Sequence, residues 1–119
     1  ILIKDNHIDY AGGVTQAITK TKEYLKAKGK DLKIEVEART LDEIEEILKF
    51  DVERILIDNF TPEETKKAVA LINGKCKTES SGGITKESIR AYAEAGVDYI
   101  SVGALTHHIS SLDLSLKAF

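Results

Sequence analysis

The stretch ILIDNFTPEE, residues 55–64, shows the unit from which the fold is built. A short apolar run ends in the polar pair Asp58 and Asn59. The Thr-Pro-Glu-Glu sequence that follows is typical of a helix start, with Thr61 as the cap and Pro62 in the first turn. A strand that leads into a helix is the repeating β/α unit of parallel sheets. The stretch therefore predicts a parallel α/β fold.

The same apolar-to-polar change recurs at nearly even spacing along the chain. Glu37, Asp58 and Glu79 occupy equivalent places in three successive runs. In parallel α/β folds ligands bind where the strands end, because the loops and helix N-termini that follow the strands converge there. The polar residues that end each run are therefore candidate site residues. The five runs cover residues 1–6, 34–37, 55–59, 78–83 and 99–103.

Helical patterns fill the segments between the runs. Apolar residues recur on one face of the first, and Thr40 with Glu43 is typical of a capping box for the second. The predicted helices extend from Val14 towards Gly29, from Thr40 through Leu48, from Thr61 to near Gly74 and from Thr85 to Gly96. A short closing helix over residues 112–119 is compatible with the pattern. The strands are mostly continuous apolar runs, which is typical of parallel strands covered on both faces.

Composition limits the function classes. The 119 residues suit one domain, and an apolar content of 42% with 31% charged residues is typical of a soluble, folded protein. A net charge of −3 argues against a nucleic-acid partner. No apolar stretch is long enough to span a membrane. Cys76 is the single cysteine, which excludes an internal disulfide and indicates a cytoplasmic location.

The start of the chain suggests a longer parent protein. The sequence contains no methionine, and it opens directly on a predicted strand at Ile1. We therefore expect these residues to be a fragment or a processed product of a longer polypeptide.

Two carboxylates interrupt the second strand. Glu35 and Glu37 are two residues apart and so share one face of the strand. Carboxylates on that face cannot pack under helices without a large desolvation cost, so they are expected to face a polar barrel interior or a ligand. Glu37 is the stronger site candidate because it lies at the strand end, and an interior ion pair is the alternative for Glu35.

Two glycine-containing loops suggest a phosphate site. Ser81, Gly82 and Gly83 follow the fourth strand and lead into a predicted helix, where glycines let the backbone approach an oxyanion. Gly103 and Ala104 occupy the corresponding place after the fifth strand. A pair of such loops after late strands is the usual phosphate grip of β/α barrels.

Charged residues end the other strands. Lys4 could neutralise an anionic substrate, while Glu37 and Asp58 could bind ribose hydroxyls or a Mg²⁺ ion held on a phosphate. Magnesium commonly takes one or two protein carboxylates together with substrate oxygens, which fits two acids.

Other polar residues are weaker candidates. Asp5, Asn6 and Asn59 follow strands, where such residues usually bond the local backbone. A structural role is the favoured interpretation of His7, and Cys76 lacks an arrangement of basic neighbours that would single it out as a nucleophile. The histidines, none of which has metal-ligand spacing, are His7, His107 and His108.

Several motifs together resemble the quinolinate phosphoribosyltransferase family, also called carboxylating nicotinate-nucleotide pyrophosphorylase. They follow the family's order and cover essentially the whole chain. The motifs are LIKDNH at 2–7, IEVE at 34–37, IDNFTPE at 57–63, ESSGGI at 79–84, GVDYISVGALTH at 96–107 and LDLSLK at 112–117.

The resemblance implies the C-terminal portion, about five β/α units, of a type II phosphoribosyltransferase α/β barrel, with residues 1–119 as one partial domain. It implies a homodimer or higher homo-oligomer of cytoplasmic NAD biosynthesis. With Mg²⁺, such an enzyme joins quinolinate to the ribose of phosphoribosyl pyrophosphate, releases pyrophosphate and CO₂, and yields nicotinate mononucleotide. Family members are much longer, with an N-terminal domain and the first barrel strands ahead of the position of Ile1. This chain alone is therefore expected to be inactive.

The motifs also carry residue roles. By resemblance, Lys4 would meet the anionic substrates, while Glu37 and Asp58 would hold the ribose or its metal. These carboxylates would also favour positive charge at the anomeric carbon. The 5′-phosphate would be bound through the backbone amides of Ser81, Gly82, Gly83, Gly103 and Ala104.

Two alternatives stay open at this point. A related phosphoribosyltransferase that uses nicotinate would share the barrel motifs. A non-catalytic, flavodoxin-like signalling or binding module would have a similar length and five strands with acidic ends. Such a module would have no need for the Ser81-Gly82-Gly83 turn.

Overall fold

The computed structural model describes residues 1–102 and the backbone of residues 115–117. The chain forms one sheet with helices between its strands. The strands, in chain order, are β1 (Leu2–Ile3), β2 (Glu35–Ala38), β3 (Arg54–Asp58), β4 (Lys77–Ser81), β5 (Tyr99–Ser101) and β6 (Ser115–Lys117). The helices are α1 (Asp5–Ala11), α2 (Val14–Ala27), α3 (Leu41–Ile47), α4 (Pro62–Ile72) and α5 (Ile89–Glu94).

The strand order follows the chain from β1 to β6. The first five strands are parallel, and β6 pairs antiparallel with β5. When every β–α–β crossover is right-handed and each new strand is added on the same side of the previous one, all helices lie on one face of the sheet. A flavodoxin-like module needs the order 2-1-3-4-5, with helices on both faces. The flavodoxin-like alternative is therefore wrong, and the arrangement is that of consecutive units of a barrel wall.

The two faces of the sheet differ in their surroundings. On the face that packs against the helices, Val36, Ile55, Ile57 and Ile100 are no more than 2% exposed. On the other face Glu35, Glu37, Arg54 and Leu56 keep intermediate exposure. The expectation that strands are covered on both faces thus holds for β4, where Thr78, Glu79 and Ser80 are all buried, but is wrong for β2 and β3. The face without helices carries the charged side chains, because their desolvation under a helix layer would be costly.

Most predicted helices are confirmed, with shifted ends. The buried residues of α2 are the predicted apolar set, and Gly29 has a left-handed φ of 63°. Helix α5 begins four residues later than predicted, at Ile89, because Thr85 and Ser88 bond each other's backbone and side chains in a turn.

Two segments differ from the sequence prediction. Residues Asp5–Ala11, where no helix was predicted, form α1 directly after β1. The closing helix over residues 112–119 is wrong at least at Ser115–Lys117, which pair with β5 as a strand. Cross-strand hydrogen bonding there outweighs a local helical pattern. The predictions at Gly103, Ala104, His107 and His108 lie outside the described residues, as do positions 112–114 and 118–119.

Helix α4 begins with the predicted capping box. The Glu64 amide donates to Thr61 Oγ1 at 3.2 Å, and the Thr61 amide donates to Glu64 Oε2 at 2.9 Å. At α3, Thr40 accepts from the Glu43 amide, but the Glu43 side chain reaches the Arg39 amide instead of the cap residue. Both helices therefore start at defined positions next to the carboxyl ends of β2 and β3.

Replacing Thr61 by alanine is expected to lower the free energy of unfolding by about 1 kcal/mol, because the amides of the first turn lose their acceptor. Chemical denaturation of the complete protein measures the change. The control is Thr61→Ser, which keeps the hydroxyl and should stay close to the parent protein. Equal losses in both variants would show that the cap hydrogen bond is not the cause.

Candidate functional site

The carboxyl ends of β2, β3 and β4 bring three predicted site residues together. Glu37 lies on β2, Asp58 ends β3, and Ser81 ends β4 directly beside Asp58 in the sheet register. The Ser81 hydroxyl donates to Asp58 Oδ1 at 3.3 Å. The Glu37 carboxyl group lies within electrostatic range of Asp58. Lys4, which directly precedes α1, is near enough to act on the charge of Glu37.

Glu37 has a perturbed acidity. Burial raises the pKa of its carboxyl group above the ordinary value, and the negative charges of Asp58 and Asp5 raise it further. The positive charge of Lys4 acts in the opposite direction. Negative charge is thus concentrated around Glu37 and Asp58. The pair is suited to bind a cation or a developing positive charge.

Asp58 is oriented from two sides. Ser81 donates to one carboxylate oxygen, and the Asn59 side-chain amide donates to the other, Oδ2, at 3.2 Å. The loop after Asn59 is held by Tyr92 of α5, whose hydroxyl donates to the buried carbonyl of Phe60 at 2.7 Å. The Asp58 carboxylate is therefore held by two side-chain donors, and the loop that follows it is anchored to α5.

The predicted phosphate turn has the backbone that glycine permits. Gly82 and Gly83 have φ values of 85° and 67°, in the left-handed region that other residues avoid. A Cβ atom at Gly82 would overlap the Asn59 side chain and lie 2.9 Å from Asp58 Oδ1. The turn therefore approaches the Asp58 carboxylate closely. The phosphate-binding roles of Ser81, Gly82 and Gly83 stay predictions.

The residues after β1 have mainly structural contacts. His7 Nδ1 accepts a hydrogen bond from the Lys4 amide at 3.2 Å, and Asn6 Oδ1 accepts from the His7 amide at 2.9 Å. Asp5 Oδ1 accepts from the Asn6 amide. These bonds stabilise the start of α1 and support the structural interpretation of His7.

An ion-pair cluster on the same face was missed by sequence reasoning. Arg54 Nη1 lies 2.9 Å from Glu79 Oε2, and Arg54 Nε lies 3.7 Å from Glu35 Oε1. The guanidinium also lies over the Tyr99 ring, 4.1 Å from its centroid, and the Ser101 hydroxyl donates to Glu79. Glu35 therefore adopts the interior ion-pair alternative. The sequence signal that could have revealed the cluster is that Arg54, Glu35 and Glu79 occupy alternating positions that place their side chains on the same face of the sheet.

A second charged bridge connects α1 to the β2–α3 loop. Arg39 donates to both carboxylate oxygens of Asp9 at 2.9 and 3.2 Å, and to Glu43 at 3.0 Å. The hydrogen bond from Arg39 lowers the pKa of Asp9. This bridge links the helix that follows Lys4 to the strand that carries Glu37.

The remaining candidates show no further chemistry. Burial raises the pKa of the half-buried Cys76 thiol, which fits an inert group. Within residues 1–102, no cluster of three or more His, Cys, Asp or Glu side chains is arranged to hold a metal ion. In the same part of the chain, every helix is too short or too polar to cross a lipid bilayer.

Comparison with known proteins gives a consistent result. Residues 1–117 match the family described as quinolinate phosphoribosyl transferase, C-terminal domain. The chloroplastic nicotinate-nucleotide pyrophosphorylase (carboxylating) of Arabidopsis thaliana is 43% identical over 132 aligned residues, covering 98% of this chain and 38% of the relative. A probable nicotinate-nucleotide pyrophosphorylase (carboxylating) of Bacillus subtilis is 40% identical and is matched over 39% of its length.

Solved structures agree with the sequence relatives. The nicotinate-nucleotide pyrophosphorylase of Francisella tularensis superposes with a TM-score of 0.81 at 43% identity, covering 98% of this chain and 40% of that one. The Ehrlichia chaffeensis protein of the same name gives a TM-score of 0.83 at 41% identity, covering 91% and 38% of the two chains. The chain thus spans about two fifths of the length of these relatives.

Proposed function

The chain belongs to the family of quinolinate phosphoribosyl transferase C-terminal domains, and from this premise we propose that the complete protein is a quinolinate phosphoribosyltransferase. The described residues are the C-terminal portion of its α/β barrel. The reaction joins the quinolinate nitrogen to the anomeric carbon of phosphoribosyl pyrophosphate as pyrophosphate leaves. Loss of one carboxylate as CO₂ and protonation of the ring carbon then give nicotinate mononucleotide.

The proposed chemistry rests on one observation. Glu37 and Asp58 meet at the strand ends, beside the Ser81-Gly82 turn and within electrostatic reach of Lys4. Two carboxylates next to a glycine turn suit a sugar phosphate, since acids can bind ribose hydroxyls while backbone amides bind the phosphate. The same carboxylates would stabilise positive charge on the ribose as pyrophosphate departs.

The carboxylate pair fits a substrate-bound magnesium ion. Mg²⁺ keeps several oxygen ligands from water and phosphate and needs only one or two protein carboxylates. Glu37 and Asp58 lie within electrostatic range of each other, so both could contact one ion. When bound there, Mg²⁺ would neutralise the pyrophosphate leaving group. Glu37 and Asp58 are the residues that we propose to hold it.

The charges of the described site indicate which groups the rest of the protein must supply. The described site contains Lys4 as the cation near Glu37, whereas Asp5 and Asp58 add negative charge. Quinolinate and phosphoribosyl pyrophosphate are both anions, so their binding requires further cationic groups. We propose that these come from parts of the complete protein outside this chain, with Gly103 and Ala104 completing the phosphate site.

Location and assembly follow from the same proposal. The single cysteine, a free and half-buried thiol, is compatible with a reducing cytoplasm. We further propose a homodimer or higher homo-oligomer, which light scattering of the complete protein would test.

Incubating the complete protein with quinolinate, phosphoribosyl pyrophosphate and Mg²⁺ is expected to yield nicotinate mononucleotide and CO₂ in equal amounts. Chromatography and release of label from a carboxyl-labelled quinolinate measure the two products. Nicotinate in place of quinolinate is the control and should give no nucleotide. Nucleotide formation from nicotinate alone would instead identify the nicotinate-using relative, and no product from either acid would contradict both.

A further inference from the structure

We propose that Asn59 is a positioning residue for the transfer reaction, holding the Asp58 carboxylate in place and coupling it to the Ser81-Gly82 turn. The inference rests on the proposed function, because it assigns Asp58 to ribose or magnesium. It goes beyond that function by giving a role to a residue that need not touch substrate.

The backbone of Asn59 already connects two strand ends. Its φ of 58° is left-handed, a conformation that asparagine tolerates better than most residues. The Asn59 amide donates to the Ser81 carbonyl at 3.0 Å, which extends the β3–β4 pairing one residue past the end of β3. The turn is thus attached to β4 at the point where the phosphate loop begins.

The side chain of Asn59 acts on the carboxylate itself. Its Nδ2 donates to Asp58 Oδ2 at 3.2 Å, while the Ser81 hydroxyl donates to Oδ1 at 3.3 Å. Two donors on opposite oxygens restrict rotation of the carboxylate. A carboxylate restrained in this way presents its remaining lone pairs in a fixed direction.

Gly82 packs against this arrangement. A Cβ atom at position 82 would overlap the Asn59 side-chain amide and press on Asp58 Oδ1. The absence of a side chain at Gly82 therefore serves the Asp58–Asn59 pair as well as any approach of phosphate to the turn. A phosphate bound on the turn would contact a backbone that is already in contact with the groups that orient Asp58.

The simpler explanation is that Asn59 only provides a left-handed turn. Glycine distinguishes the two roles, since Asn59→Gly keeps access to that φ but removes the side-chain amide. Asn59→Asp retains size and shape, yet it replaces the donor to Asp58 with a second carboxylate. Asn73 gives a matched control because it is also left-handed, with a φ of 48°, but it lies at the opposite end of α4.

In the complete protein, Asn59→Gly and Asn59→Asp are expected to lower kcat/KM for phosphoribosyl pyrophosphate about 10- to 100-fold, as for other residues that orient a metal- or substrate-binding carboxylate. The KM for quinolinate and the melting temperature of Asn59→Gly should stay close to those of the parent. Asn73→Gly should leave all kinetic constants unchanged. A crystal structure of Asn59→Gly should show a displaced Asp58 carboxylate.

Parental kinetics in a folded Asn59→Gly variant would overturn the proposal, as would an Asp58 carboxylate that has not moved in its crystal structure. Equal losses of kcat/KM for both substrates, accompanied by a lower melting temperature, would indicate that Asn59 only forms the turn. A parent protein without transferase activity would instead refute the proposed function, and the crystal structure would then still test the positioning of Asp58.

Discussion

Replacing Asp58 by asparagine in the complete protein is expected to reduce kcat/KM roughly 100- to 1000-fold, the usual cost of losing one electrostatic group aimed at the transition state. Asn59 and Ser81 orient the Asp58 carboxylate, and Glu37 lies next to it. Asparagine has nearly the same shape but no charge, so it cannot stabilise positive charge on the ribose. Glu37→Gln is expected to have an effect of the same kind.

The stability of Glu37→Gln should change in the opposite sense from its activity. The pKa of Glu37 is raised in the folded protein, mainly by burial and then by Asp58 and Asp5. A carboxyl group whose pKa is raised by folding favours the folded state when protonated. That contribution is present at low pH and is lost as the pH rises through the raised pKa. Glu37→Gln should therefore match or exceed the parental melting temperature at neutral pH.

Steady-state kinetics and thermal melts together test this prediction. Asp51→Asn is the matched control, since it removes the same charge from an exposed site just before β3, at the opposite end of that strand from Asp58. The control should keep parental kinetics. Unchanged kcat/KM in both Asp58→Asn and Glu37→Gln would eliminate these residues as the reactive carboxylates.

Replacing Arg54 by methionine is expected to lower the free energy of unfolding by about 3 kcal/mol, the low end for breaking a buried ion pair. Glu79 is only 8% exposed and depends on Arg54 for charge compensation at 2.9 Å. Burial works against the charged guanidinium, but the hydrogen bond to Glu79 and the charges of Glu35 and Glu79 raise the pKa of Arg54 overall. Loss of Arg54 would leave Glu79 buried without a partner charge.

A surface ion pair supplies the control for this prediction. Arg90 and Glu94 pair at 3.0 Å with side chains 88% and 68% exposed, so Arg90→Met should cost less than about 1 kcal/mol. The double variant Arg54→Met with Glu79→Gln should recover much of the lost stability, because it removes the stranded charge. Chemical denaturation measures all four proteins. Similar losses for Arg54→Met and Arg90→Met would show that the interior pair does not stabilise the fold.

Local signals predicted the parts of the fold that depend on near neighbours. The cap at Thr61 acts within three residues of Glu64, and the apolar face of α2 repeats within single turns. The sequence missed α1, whose start is stabilised by His7 and whose Asp9 is bound by Arg39, 30 residues further along the chain. It also missed the pairing of Ser115–Lys117 with β5, since strand pairing is not encoded in either segment alone.

The candidate site shows the same division between features that the sequence determined and features that only the tertiary structure decided. The sequence by itself determined that acids and a serine-glycine turn follow successive strands, and its motifs were sufficient to identify the family. Only the tertiary structure decided that Asn59 holds Asp58, that Gly82 packs against both, and that Arg54 joins Glu35 to Glu79. The physical reason is that the side-chain period of a strand assigns a residue to a face, whereas sheet register and loop geometry determine which residues on that face meet.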